Sequence, residues 1–126
     1  MILSAHQPTF MPWLGLFHKI YNSYLFVFFD IVQYLPKEWM NRNYIRSKND
    51  KILLTVPVKR SGFLEKKIND IRIDYSTNWN KKHLKSIKLC YQKKKYFDLY
   101  FDQLEEIYHK RHNHLSDLNY DLLIFF

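Results

Sequence analysis

Ala5-His6-Gln7-Pro8-Thr9-Phe10-Met11-Pro12-Trp13-Leu14-Gly15 links a strand-like opening to a helical pattern. It sets an imidazole and an amide in a proline-framed loop, directly after the apolar opening Ile2-Leu3-Ser4-Ala5, which reads as a short strand. Pro12 suits a first helical turn, and Trp13, Leu14, Phe17, Ile20 and Tyr21 follow at helical spacing. Leu25-Phe26-Val27-Phe28-Phe29 is an uninterrupted apolar run ending at Asp30, the pattern of a strand buried on both faces, as parallel strands are. The order predicted is β-loop-α-β, a Rossmann-like opening to an α/β fold. A right-handed crossover brings the carboxyl ends of both strands to one edge. His6 and Asp30 would then face one crevice, within reach of Gln7, Gln33 and Lys19. The plainer reading has His6 satisfying a backbone carbonyl and Asp30 capping a turn.

The length of 126 residues allows one domain, divided into an α/β part over 1–75 and a helical part over 76–126. Only two glycines, Gly15 and Gly62, are present, which leaves no room for a glycine-rich phosphate loop or a dinucleotide fingerprint. A lone cysteine, Cys90, excludes an intrachain disulfide and a cysteine-rich zinc site, and helical spacing puts it among apolar neighbours. The apolar runs Tyr24 to Phe29 and Leu122 to Phe126 are far shorter than the roughly 20 residues that cross a bilayer. With no secretory signal visible at the start, a cytoplasmic location is the expectation.

The net charge of +8 is concentrated. Residues 37–95 hold 17 Lys or Arg against 5 acids, whereas residues 96–126 hold 2 basic residues against 6 acids. A cationic zone of this kind suits nucleic acid, acidic lipid or a phosphorylated small molecule, and charge alone does not choose among them. Within it stands Asn41-Arg42-Asn43, a dense set of directional donors and acceptors. On an extended strand the two asparagines share one face and Arg42 the other, so a bend is needed for all three to reach one ligand. Arg42 can grip a phosphate or carboxylate bidentately or anchor neighbouring carbonyls.

Lys48-Asn49-Asp50 reads as a turn between Asn41–Arg46 and the strand-like Ile52 to Val58, giving a hairpin whose Pro57 marks a strand end. Ile68, Ile71 and Ile73 suggest a further extended segment. Thr77 or Asn78 can cap a helix carrying Trp79, His83, Ile87 and Tyr91, with Leu84 beside them and lysines on the exposed side. Tyr96 to Tyr108 supports a second, acid-decorated helix, and Ser116 can cap a third containing Leu118, Leu122, Leu123 and Phe126. His109, His112 and His114 lack the spacing of a metal site and read as a solvated linker.

Taken in order, several blocks resemble the WbqC-like protein family: His6-Gln7-Pro8 with Pro12, Gly15 and Lys19-Ile20; Asp30 with Val32-Gln33; Asn41-Arg42-Asn43; and Leu54 through Val58. Trp79 to Leu84 and His114 to Asn119 extend the likeness, while Ile31 stands where a second acid is common. The resemblance covers about the amino-terminal half of the family pattern, which implies a truncated domain that awaits a carboxyl-terminal portion or an oligomeric partner. It implies a role in bacterial surface-polysaccharide (O-antigen) biosynthesis, through acyl or aminoacyl (glycine) transfer to an activated sugar. In that role His6 and Asp30 are the catalytic candidates, while Gln7, Lys19, Gln33, Asn41, Arg42 and Asn43 bind a nucleotide-sugar or other phosphorylated small molecule. No metal is implied and no cofactor is specified. The competing readings are a nucleic-acid-binding module that stacks bases on Trp39, Tyr44, Trp79 and Tyr91, and an inactive truncated fragment.

Overall fold

The computed structural model describes residues 1–126, with mixed α/β content: two small sheets and four helices. Strand β1 (Leu3–His6), helix α1 (Leu14–Tyr21) and strand β2 (Leu25–Phe28) form the opening unit. β1 and β2 pair in parallel, with His6 opposite Phe28, and Phe29 N–H extends the ladder to the His6 carbonyl at 2.9 Å. The helix between them brings both carboxyl ends to one edge, as a parallel crossover requires.

This parallel sheet has two strands and is covered on one side only. Ser4, His6, Phe26 and Phe28 are half-buried, while Leu3 and Leu25 on the opposite face are 65% and 54% exposed. The expectation that β2 is buried on both faces is therefore overturned. The apolar run supplies side chains for two covered faces, but within this chain only one layer packs against it. Edge-on contacts of Phe28 with Tyr120 (5.5 Å) and of Phe17 with Phe126 (6.3 Å) attach the unit to the rest of the molecule.

β3 (Arg42–Arg46) and β4 (Lys51–Thr55) make the expected antiparallel hairpin, with Arg46 opposite Lys51 and Ser47–Asp50 closing the turn. Pro57 cannot donate to a ladder, and β4 ends before it. The segment over Ile68, Ile71 and Ile73 differs from the strand expected there. Ile68–Asp70 is a short 3₁₀ turn, and only Arg72 and Ile73 make isolated bridges, to His114 and Val58. All three isoleucines are nonetheless buried, because the turn rotates Ile68 and Ile71 onto the same core.

Helices α2 (Trp79–Tyr91), α3 (Phe97–His109) and α4 (Leu115–Phe125) close over the hairpin. Asn78 occupies the cap position of α2, with no side-chain cap bond. α4 starts two residues earlier than a Ser116 cap would allow. His114 is its cap residue, and Ser116 lies buried within the first turn. The core joins Met40, Leu54, Val56, Ile68, Ile71, Trp79, Tyr108, Leu115, Leu118 and Leu122, with Phe10 inserted from the opening loop. Each such apolar side chain contributes about 1.5–3 kcal/mol on burial. Asn119, wholly buried, ties α4 to the chain before β3 by donating to the Met40 carbonyl at 2.9 Å. Cys90 packs against this core, as its spacing indicates.

The 109–114 segment is not a plain solvated linker. His112 and Lys110 both hold the Asp121 carboxylate, at 2.7 and 3.1 Å. Desolvation pushes the Asp121 pKa up, but these two partners outweigh it and leave the net shift downward.

His83 occupies the centre of the helical layer, 5% exposed. Its Nε2 lies 3.0 Å from the Thr55 carbonyl, which can only accept, so Nε2 carries the hydrogen. Nδ1 therefore accepts from the Tyr108 hydroxyl at 3.2 Å. Burial drives the His83 pKa down from 6.5 to about 4, despite the opposing bond to Thr55. Between those values the unfolded chain binds a proton that the folded chain refuses, so stability falls as the solution is acidified. We expect unfolding free energy to drop by up to about 3 kcal/mol between pH 6.5 and pH 4. Urea melts across that window should show the drop, and His83→Gln should flatten it.

Candidate functional site

The carboxyl edge of the parallel pair carries His6, and the loop that follows it is held in an unusual shape. Met11 adopts φ = 47°, a left-handed conformation that a side-chain-bearing residue enters at a cost. Three hydrogen bonds fix it there. Asn43 Nδ2 donates to the Met11 carbonyl at 2.6 Å and to the Phe10 carbonyl at 3.3 Å, and the Phe10 amide donates to the Trp39 carbonyl at 3.0 Å. Arg42 donates to the carbonyl of Lys37, a second left-handed residue with φ = 67°. Asn41, buried, donates to the Val56 carbonyl at 3.0 Å and so closes the hairpin. The Asn-Arg-Asn triplet thus reaches three separate stretches of backbone and clamps them around the start of β3. The alternation along a strand, which forbids a common ligand, is what allows three separate anchors.

His6 is half-buried, and its Nδ1 lies 2.7 Å from the Gln7 carbonyl. That carbonyl can only accept, so Nδ1 is the donor, and in the neutral ring Nε2 is the nitrogen left to accept. Nε2 makes no hydrogen bond within the chain. The indole of Trp13 meets the imidazole edge-on at 5.4 Å. Lys19 Nζ donates to the Ala5 carbonyl at 2.7 Å, which places an ammonium beside the same strand end. Gln7 faces a narrow crevice shared with Thr9, Leu16 and Phe28, too tight to hold water.

Asp30 lies two residues beyond Phe28, the register partner of His6, and is half-buried at the same edge. Its backbone carbonyl accepts from the Asn69 amide at 3.2 Å, and its carboxylate forms no ion pair or hydrogen bond with another side chain. The contact that orients His6 therefore comes from Gln7. Gln33 lies farther along, its amide donating to the Leu64 carbonyl at 2.6 Å. His6 ends β1, Asp30 follows the end of β2 and Lys19 holds the Ala5 carbonyl beside them, while Gln33 is tied to the 64–67 segment.

A second group stands next to the clamp. Tyr34 is buried, and the positive charges of Arg42 and Arg60 act on it. Desolvation pushes its phenol pKa up, and the two cations partly offset that rise. Arg42 also lies 5.7 Å from the Trp39 ring, and its Nε is shielded from solvent without a partner. Every salt bridge in the chain falls between residues 110 and 121, so the 17 basic residues of the cationic zone have no acidic partner. Arg60 gave no signal in the sequence, because only the folded chain brings it to Tyr34. Of the four aromatic residues considered for base stacking, Trp79 is in the core and Tyr91 is half-buried with its hydroxyl accepting from the Arg46 amide. Trp39 and Tyr44 remain exposed.

The model of the WbqC-like protein family matches residues 7–126. An uncharacterized protein of Mycobacterium tuberculosis is 35% identical over 118 residues, covering 93% of this chain and 51% of the relative. The chain spans about half the length of this curated relative. No solved structure matches it significantly.

Gly15 governs the Trp13–His6 contact. A Cβ at this position would fall 2.2 Å from the indole nitrogen of Trp13. Trp13 is solvent-exposed and can swing away, and alanine favours the helix, so Gly15→Ala should keep or raise stability by up to about 1 kcal/mol. The expected signature is a changed histidine-6 ring shift in NMR spectra, caused by loss of the neighbouring indole, with the melting temperature held or increased.

Proposed function

The chain belongs to the WbqC-like protein family, and from that membership we propose that it forms the base-bearing part of a transferase that modifies bacterial surface polysaccharide. In this reading an acyl or aminoacyl group, glycyl among them, moves from an activated donor to an amine or hydroxyl of an activated sugar. The observation that carries the proposal is the 2.7 Å contact of His6 Nδ1 with the Gln7 carbonyl. With Nδ1 committed to the Gln7 carbonyl, the free Nε2 is set to take a proton.

As the acceptor lone pair bonds to the acyl carbon, its proton passes to Nε2 of His6. The leaving group departs with the electrons of the broken acyl bond and recovers that proton from the imidazolium. Asp30, on the same edge, lowers the energy of the transient imidazolium by its charge. Arg42 and Arg60 bind the phosphate of the activated sugar, and the Tyr34 hydroxyl adds a neutral donor. Lys19 adds positive charge beside the strand end, and Gln33 offers its amide oxygen to a sugar hydroxyl. Asn41 and Asn43 act as positioning residues, holding the loop that carries this chemistry.

Exposed Trp39 and Tyr44, with ring centroids 5.9 Å apart and flanked by Arg42 and Lys51, favour a second reading as a single-strand nucleic-acid surface. That reading requires oligonucleotide binding that weakens steeply with salt.

The test uses a full-length family member that carries the same blocks, with its polysaccharide product analysed by mass spectrometry. His6→Gln should lower transfer by about a hundredfold or more while the fold is kept. Arg60→Ala should raise KM for the phosphorylated sugar and leave kcat within about threefold. Unchanged product from both variants contradicts the assignment.

A further inference from the structure

Away from the His6 edge, an open-mouthed cavity of about 450 Å³ lies between the hairpin and the helices. Its wall combines Tyr44 and Ile45 of β3, Tyr91 of α2, Tyr100 and Phe101 of α3, and Phe125 of α4, and twelve of its fourteen lining residues are hydrophobic. The volume lies in the range that encloses a small organic ligand. None of the lining residues is acidic, and its two charged residues are Lys94 and Lys95.

Three lysines lie over aromatic rings of the lining. Lys95 Nζ lies 5.2 Å from the Tyr96 ring, Lys51 4.4 Å from Tyr44 and Lys88 6.0 Å from Phe101. None of these lysines is paired with a carboxylate. An aromatic ring weakly solvates an ammonium and leaves its positive field uncancelled. The cavity thus presents an apolar interior beneath a cationic rim, which selects a molecule with an apolar body and an anionic head. A cationic amphiphile would meet repulsion, and a neutral one would gain nothing from the rim.

We propose that this cavity is a binding site for a small amphipathic anion, an aryl or alkyl body bearing one carboxylate, sulfonate or phosphate, with Lys94 and Lys95 engaging the charge. The site is separate from His6 and does not depend on the transferase reading. Met11, pinned by Asn43, is also part of its lining, so an occupant would touch the loop that follows His6.

The test compares two fluorescent probes of the same shape, anilinonaphthalene sulfonate and uncharged phenylnaphthylamine, titrated into the intact chain. The sulfonate should bind at one saturable site, be displaced by dodecanoate and resist dodecyltrimethylammonium. Lys94→Ala with Lys95→Ala should weaken sulfonate binding roughly tenfold and leave phenylnaphthylamine within about twofold. Lys94→Glu with Lys95→Glu should reverse the preference between the two dodecyl competitors. Both pairs of substitutions lie outside the buried core, so folding is preserved and can be confirmed by circular dichroism. Equal binding of the two probes, or sulfonate binding indifferent to the lysine substitutions, would overturn the proposal. So would a chain that dimerises through this face and binds neither probe.

Discussion

Asn43 holds the carbonyls of Phe10 and Met11, and much of the molecule's functional geometry depends on that grip. Met11 sits in a conformation it would leave if released, and Phe10, immediately before it, is wholly buried in the core. The bond therefore acts at a junction. On one side is the loop that orients His6, and on the other is the aromatic cavity that Met11 helps to line. Arg42 and Asn41 secure neighbouring backbone in the same way, so one short strand start organises the opening loop, the 34–40 segment and the hairpin together.

Charge and apolar surface are separated around this junction. The acidic groups that form ion pairs lie on α4, far along the chain from the basic middle, which leaves Arg42, Arg60 and the helical lysines available to anions. The parallel pair adds an exposed apolar face at Leu3, Leu25 and Val27. Parallel sheets are ordinarily covered on both faces, and here one face is covered. The arrangement sets His6 and Lys19 beside the sheet edge while leaving one sheet face open.

Periodicity made a good part of this legible in the sequence. The β-loop-α-β opening, the hairpin before Pro57 and the three later helices all follow from local patterns, because the alternation and the 3.6-residue repeat are local consequences of burial. The blocks from His6 to Val58 likewise identified the family. Long-range contacts were not legible. The apolar run of β2 signals burial but not which layer supplies it, and in the folded chain one face has none. His83 read as one member of an apolar helical face, whereas its role comes from Thr55 and Tyr108, 28 and 25 residues away. Asn43 and Met11 are 32 residues apart, and the charge of Arg60 acts on Tyr34 only through the fold, so neither link leaves a local trace.

The clamp on the opening loop can be measured directly by amide hydrogen exchange, because the Phe10 amide reports on the loop through its bond to Trp39. Removing the Asn43 side chain should lower the local opening free energy by about 1–2 kcal/mol and accelerate Phe10 exchange roughly tenfold, while core amides of α2 slow down or speed up far less. Exchange at Phe10 that is the same in Asn43→Ala and the unaltered chain would contradict the clamp.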